Sequence, residues 1–441
     1  MSASVVPELT APRKPKKLSV TEAVVGNGLH VVVVRKPGVP LVEVRLRIPF
    51  QSARPTHSAR SALLSDALLT GTSTIDRAGL AAALQALGGD LSVGVDADRL
   101  LIGGNALATK LRPLLELIAS VLTDAAYPKD EVATERDRLV ERLSMARSRA
   151  GVVAAEALAH RMWGDHPYAH DLPQPADVAA TTAAQLRALH AAMVRPADAV
   201  LIVVGDVSPS RVLDQVAAAL EPWTGTTAAA RVPALPVPQP GPLVVLDRAG
   251  SVQSSIRMGG PGLPRTDPDY PALQLANLIF GGYFSSRWTE NLREDKGYTY
   301  GPHSRIEHNV LGSAVLLDVE VATEVTAPAL LETRYELGRI ASLPVTQAEV
   351  DAVRQYAIGT LALSTATQAG LASTLTALAA TGLGIDWIAE HPARLAAIGV
   401  DEVSAAAARF FAPARLVEVV VGDAATITEP LSVLGRVTSD A

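Results

Sequence analysis

Apolar and polar positions run through the same order twice along the chain. Residues 194–206 (VRPADAVLIVVGD) and 411–423 (FAPARLVEVVVGD) each pass from a Pro-containing turn into a Val/Ile-rich run that stops at Gly-Asp; Pro196, Gly205 and Asp206 match Pro413, Gly422 and Asp423 at an offset of 217. The apolar runs predict strands. Each follows an Ala-rich stretch with helical spacing, TTAAQLRALHAAM and DEVSAAAARFF. The openings of the two halves correspond more loosely. GLHVVVVRKPGVPLVEVRLRIPF sets two strand-like runs around a Pro-Gly turn, and GPLVVLDRAGSVQSSIRMGGPG repeats the rhythm. Each leads into a predicted helix that ends at a Gly-containing break, SALLSDALLTGT and PALQLANLIFGG. Repetition on this scale predicts one supersecondary unit used twice.

Between the halves, VPALPVPQPGP (232–242) carries five Pro in eleven residues, the composition of a stiff, extended linker. The expected organisation is a flexible basic arm at 1–18, a first domain at 19–225, a Pro-rich linker at 226–242, a second domain at 243–428 and a tail at 429–441. Mixed strands and amphipathic helices in each half predict an α+β fold: two homologous domains, each a mainly antiparallel sheet covered by helices. Two such domains joined by a linker form a clam-like half-chamber, whose cleft suits an extended ligand.

Composition narrows the function. Of 441 residues, 48% are hydrophobic and 19% charged, which excludes wholesale disorder. With only 5 Phe, 4 Trp and 8 Tyr, the cores must be built from Ala, Leu and Val. A net charge of −6 argues against a nucleic-acid binder that works through phosphate contacts. The absence of cysteine excludes disulfides, a thiol nucleophile and Cys-ligated metals. The longest charge-free stretch, Gln355 to Ile385, is broken by many Ser and Thr residues, so it reads as helices packed within a soluble domain and not as a membrane span. The N-terminus lacks a secretory apolar segment, so the expected location is cytoplasmic, with no membrane partner.

From about Gly28 to Asp423 the chain resembles the pitrilysin/insulinase metallopeptidase family. More narrowly, it resembles members built from separate subunits of about this size, the processing-peptidase type. The landmarks are NGLHVVVVRKP, the helix ending in LLTGTST, GGDLSV, GDHPYAHDLPQPADV and the VGD that closes the first half, followed in the second half by FSSRWTENLREDKGYTYGPHS.

The resemblance locates a zinc site that has been lost. Catalytic members carry H-x-x-E-H on a helix: two His on one face bind zinc, the Glu activates the bound water, and a downstream carboxylate completes the ligand set. Here those positions hold Ala62, Ser65 and Asp66, and the downstream ligand falls at Arg142, one residue from Glu141. Ala62 cannot ligate, Ser65 is no useful base and Arg142 repels a cation. No metal is expected in this chain. Asp66 and Arg142 would face each other where zinc would sit. Either they form an ion pair that fills the site, or each reaches water separately.

The other histidines give no alternative. Pro167 interrupts any helix between His166 and His170, which read as a surface loop; His303 and His308 have no carboxylate at ligand spacing. Gly259-Gly260 and Gly281-Gly282 lack the residues of a phosphate loop and read as turns.

The second half keeps Leu292-Arg293-Glu294 and Gly297-Tyr298-Thr299-Tyr300. In two-subunit members, an Arg and a Tyr at these positions reach the substrate beside the zinc held by the other subunit. Arg293 and Tyr300 match that pair, and a guanidinium and a phenol can both hydrogen-bond a peptide carbonyl. The alternative is that Arg293 pairs with Glu294 or Asp295 on a solvated helix while Tyr300 is core. Phe284-Ser285-Ser286-Arg287 is either a mobile loop over the cleft or a helix cap.

The resemblance therefore implies the zinc-free subunit of a heterodimeric metallopeptidase. A homologous partner carrying H-x-x-E-H would hold the zinc, and the substrate would be an extended, unfolded peptide such as a leader or precursor. Alone, the chain should be inactive. The alternative is a structural scaffold related to respiratory core subunits; a self-sufficient hydrolase would need a constellation that the sequence does not display.

Overall fold

The computed structural model describes residues 18–226 and 232–440. The basic arm therefore lies almost wholly outside the described residues. The first half forms a six-stranded sheet from β1 (Ser19–Val24), β2 (His30–Arg35), β3 (Leu41–Pro49), β4 (Asp90–Val95), β5 (Arg99–Leu107) and β6 (Val200–Gly205), in the order β1-β2-β6-β3-β5-β4. The second half repeats it with β7 (Leu243–Asp247), β8 (Gln253–Pro261), β9 (His303–Asn309), β10 (Gly312–Ala322), β11 (Val417–Gly422) and β12 (Val437–Asp440), in the order β12-β7-β11-β8-β10-β9.

The registers make the repetition exact at residue level. Arg47 of β3 pairs with Val200 of β6, and Gly259 of β8 pairs with Val417 of β11, where Val200 and Val417 stand at the 217-residue offset seen in the sequence. Both sheets are mixed: β2 runs parallel to β6, and β7 runs parallel to β11, within otherwise mainly antiparallel ladders. The segment expected as a tail at 429–441 belongs to the second domain instead. It completes the helix Ala424–Ser432 and then adds β12 as a parallel edge strand on β7, where its backbone groups find ladder partners.

Each sheet has helices of its own half on one face. The first core gathers Leu46, Leu63, Leu64, Ile118, Leu220 and Trp223; the second gathers Leu273, Phe280, Trp288, Leu330, Phe410 and Phe411. The opposite faces are covered by exchange. The helix Ala150–Trp163, from the first half, packs Ala154, Leu158 and Met162 on Val417, Val419 and Val421 of the second sheet. Its counterpart Gln368–Ala379, from the second half, packs Leu371, Ala372 and Leu375 on Val34, Ile202 and Val204 of the first. The charge-free stretch is apolar for this reason: its helix buries one face against the other half's sheet.

A polar junction joins the halves as well. Buried Asp98 accepts from Tyr168 Oη at 2.7 Å and from the Val310 N–H at 2.8 Å, and the Leu311 N–H donates to the same Tyr168 oxygen at 3.1 Å. His166, expected on a surface loop, is buried, and its Nε2 lies 3.2 Å from the carbonyl of Pro233 in the linker.

Candidate functional site

The helix His57–Ala67 carries three of the four positions where a zinc site would stand. Ala62 lines a cavity of about 650 Å³ shared with His57, Ser61, Asp96, His160 and His170. Ser65 is buried. Asp66 reaches across to the long helix Lys129–Arg147, where Arg142 Nη2 donates to its Oδ2 at 2.6 Å. The two candidate groups are therefore paired and do not reach water separately. Burial pushes the Asp66 carboxyl above its usual range and Glu135 adds to this, while the bond and charge of Arg142 pull the other way. Glu141 is exposed.

Zinc does not fit these residues. A methyl group, a buried hydroxyl and a carboxylate engaged by a guanidinium do not make a tetrahedral ligand set. Among the described residues, no group of three or more His, Asp or Glu side chains is placed to hold a metal ion. His160 and His170 approach with ring centres 4.7 Å apart in an edge-on arrangement. His57 Nε2 lies 2.6 Å from the Phe50 carbonyl, and burial lowers the ring's proton affinity. It is therefore a neutral donor to that carbonyl.

The second candidate group is built on irregular helix. Leu278–Gly282 and Glu290–Asp295 are both π-helical, a geometry that inserts a residue per turn and turns side chains to new directions. Gly281-Gly282 is thus the end of a helix and not a turn. A Cβ on Gly281 would stand 2.8 Å from the Trp288 ring and one on Gly282 2.5 Å from Asn277 Nδ2, so only glycine admits this packing. Ser286 then caps the short helix Arg287–Thr289 by accepting from the Thr289 N–H. Arg287 anchors the segment with two bonds to Glu349, Nε to Oε1 at 2.6 Å and Nη2 to Oε2 at 2.9 Å.

On this support the Arg293 guanidinium lies 4.7 Å from the ring centre of Phe284 and 5.1 Å from that of Tyr300. Its contact with Glu294, at 3.5 Å, is long. Tyr300 is 90% exposed and Phe284 64% exposed, so Tyr300 is not core. The arrangement presents a cation and two rings to solvent together, with the phenol free to donate. The sequence pairs Arg293 with Tyr300 and sets Phe284 in a cleft loop or a helix cap; the stacking of its ring on Arg293 carries no signal there. No described hydrogen bond or ion pair links this group to Asp66 and Arg142.

Among the described residues, no helix is long and apolar enough to cross a membrane.

Comparison with known proteins agrees with this geometry. A Streptomyces coelicolor protein described as an uncharacterized zinc protease is 25% identical over 63% of this chain and 62% of its own length; a Mycobacterium leprae protein of the same description is 25% identical over 64% of each chain. The chain thus spans less than two thirds of these relatives. A Bacillus subtilis protein described as a probable inactive metalloprotease is 28% identical over 51% of this chain and 54% of its own. The crystal structure of a peptidase M16 inactive domain from Pseudomonas fluorescens superposes with a TM-score of 0.86 at 25% identity, covering 92% of this chain and 98% of that one. The family model for insulinase (peptidase family M16) matches residues 32–176, and that for the peptidase M16 inactive domain matches residues 180–356. With both models of one family in register over most of the two repeated halves, the chain belongs to the pitrilysin/insulinase-type peptidase family, M16.

Proposed function

We propose that this chain is the zinc-free subunit of a two-subunit M16 metallopeptidase. The observation that carries the reading is the contrast between its two candidate groups. The metal position is closed by the Asp66–Arg142 pair, while Tyr300 stands open to solvent over a half-buried Arg293 on a braced segment. A residue kept only for packing would not leave a tyrosine 90% exposed over an arginine. In this reading a homologous partner carries H-x-x-E-H and its zinc. This chain supplies chamber wall, and Arg293 and Tyr300 hydrogen-bond the carbonyl of an extended peptide held in the partner's site. The edge strands β4 and β9 offer unpaired backbone for such a peptide. Leader or precursor peptides in the cytoplasm are the substrates this assembly would serve.

The chain also shares its fold with a component of a Candida albicans complex III structure, at TM-score 0.77 and 16% identity. A scaffold role of that kind leaves the Arg293–Tyr300 pair without a task.

The test is to purify the tagged chain from its native host and assay the eluate on an unstructured peptide. A co-purifying H-x-x-E-H chain with chelator-sensitive cleavage supports the proposal. An isolated chain without activity moves the assignment to a scaffold, and chelator-insensitive cleavage by this chain alone refutes both.

A further inference from the structure

β3 reads Val42-Glu43-Val44-Arg45-Leu46-Arg47-Ile48, a strict alternation whose apolar members enter the first core. The charged members take the opposite face, the face that the helix Gln368–Ala379 of the second half covers. Glu43 and Arg45 form an ion pair at 2.9 Å. Arg47 does not. It is 7% exposed, it makes no hydrogen bond or ion pair with any described residue, and its Nε is sealed from solvent without a partner. Desolvation lowers its proton affinity and the nearby charge of Arg99 lowers it further, while the charges of Asp98 and Asp96 offset part of this.

The internal repeat shows that the fold does not need a charge there. The equivalent position in the second sheet is Gly259, and the exchanged helix comes down on it so closely that a Cβ would stand 2.5 Å from Met162 Sδ. In the first sheet there is a cavity instead, of about 150 Å³. Its wall includes Arg47 and Arg99 from the first half, and Arg265, His308 and Thr381 from the second.

Two carboxylates, Asp96 and Asp98, also border the space, and both are already engaged. Asp96 accepts from the N–H groups of Asp98 and Arg99 and from Arg99 Nε; Asp98 accepts from Gln51, Tyr168 and the Val310 N–H. The last carbonyls of the covering helix are taken as well. Its Leu378 carbonyl takes the N–H groups of Thr381 and Leu383, and its Ala379 carbonyl takes that of Gly382. His308 is neutral, because burial and Arg265 push its ring down to about 3. Three arginines against two carboxylates leave one positive charge on the walls of this space.

We propose that this cavity binds a small singly charged oxyanion, a phosphate or a carboxylate, held by Arg47 and Arg99 from the first half and by Arg265 from the second. The volume suits it: the space admits several waters, and so a small oxyanion. Because the donors come from both halves, the anion ties them together, beside the Asp98–Tyr168–Val310 junction. The inference rests on Arg47 and not on the peptidase reading.

The experiment titrates the full chain with sodium phosphate and, separately, with sodium acetate, at ionic strength fixed with chloride. Thermal unfolding and calorimetry are the readouts. Saturable binding at one site per chain, with a rise in melting temperature, is expected for at least one anion. Phosphate alone identifies a tetrahedral ligand, acetate alone a carboxylate, and both together the shared chemistry. Arg47→Met should weaken binding by at least about tenfold, the scale of one charge-assisted hydrogen bond. In chloride alone this variant should be no less stable than the wild type, because it removes an unpartnered charge. Arg265→Gln, at the partly exposed rim, repeats the affinity comparison if Arg47→Met fails to fold. No saturable effect of either anion on the wild type, or wild-type affinity in the variant, overturns the proposal.

Discussion

The Arg293 guanidinium carbon lies 5.1 Å from the centre of the Tyr300 ring, and that ring is 90% exposed. An exposed cation–π contact contributes about 0.5–1 kcal/mol, too little to explain why a segment is braced by two π-helical turns and a two-point Arg287–Glu349 pair.

Arg293→Ala should therefore leave the fold alone and act on catalysis. The Arg293 side chain is half-buried, with a long contact to Glu294 and two exposed rings, so its loss should change stability by about 1 kcal/mol or less. In the complex with a zinc-bearing partner, losing one donor to developing charge should lower kcat about 100- to 1000-fold. Tyr300→Phe keeps the ring over Arg293 and removes only the hydroxyl, so it separates stacking from donation. Steady-state kinetics with size-exclusion chromatography of the complex checks both. Wild-type turnover in Arg293→Ala would remove the role in trans.

The Asp66–Arg142 bond makes the lost metal site testable from the other direction. Metal analysis of the purified chain should find no stoichiometric zinc. The quadruple variant Ala62→His, Ser65→Glu, Asp66→His and Arg142→Glu restores a ligand set on two helices that already meet at 2.6 Å. It should bind zinc near one equivalent, lost on chelation. A folded quadruple variant without zinc would mean that these four positions are not the remnant of a zinc site.

How much of this was legible in the sequence depends on what each residue pattern encodes. The repeat around Gly205 and Gly422 exposed the two domains, because strands ending at the same turn keep the same punctuation. The Asp66–Arg142 contact was legible only through family resemblance, since nothing in the spacing of 66 and 142 brings them together. The exchange of helices between halves was not legible. Periodicity in Gln368–Ala379 says that one face is buried and not what buries it. The same gap concealed Arg47. Alternation along β3 reads as a strand with one wet face, and only the helix from the other half makes that face dry. β12 was missed because its parallel pairing to β7 is long-range and its four residues carry little pattern.

Glu349 gives a pH-dependent prediction. Burial pushes its carboxyl up, but bonds from Arg287 and from the Thr346 N–H and hydroxyl outweigh this and hold it at about 2. A carboxylate depressed on folding stabilises the native state above its ordinary value of 4.5, and that contribution is lost as pH falls through about 2. Glu349→Gln should therefore destabilise the chain by about 2 kcal/mol at neutral pH, allowing for the group's partial exposure. Denaturant unfolding across pH should show the gap from wild type narrowing below pH 4.5. A gap independent of pH would assign the loss to the cap at Thr346 and not to the ion pair.

The junction at Asp98 predicts how the two halves part. Tyr168 donates to Asp98 and accepts from the Leu311 N–H, so Tyr168→Phe removes one donor from Asp98, which keeps Gln51 and the Val310 N–H, and strands the Leu311 backbone donor. The cost should be about 1–3 kcal/mol. The loss falls on the contact between halves, while the exchanged helices Ala150–Trp163 and Gln368–Ala379 keep their apolar seams. Unfolding should therefore stay a single transition with an unchanged denaturant slope, because the same surface is exposed at the end. Hydrogen exchange should nevertheless quicken at Val310 and Leu311, whose N–H groups point at this junction. Unchanged protection at those two amides would show that the exchanged helices alone hold the halves together and that the Asp98–Tyr168 bond contributes nothing to their closure.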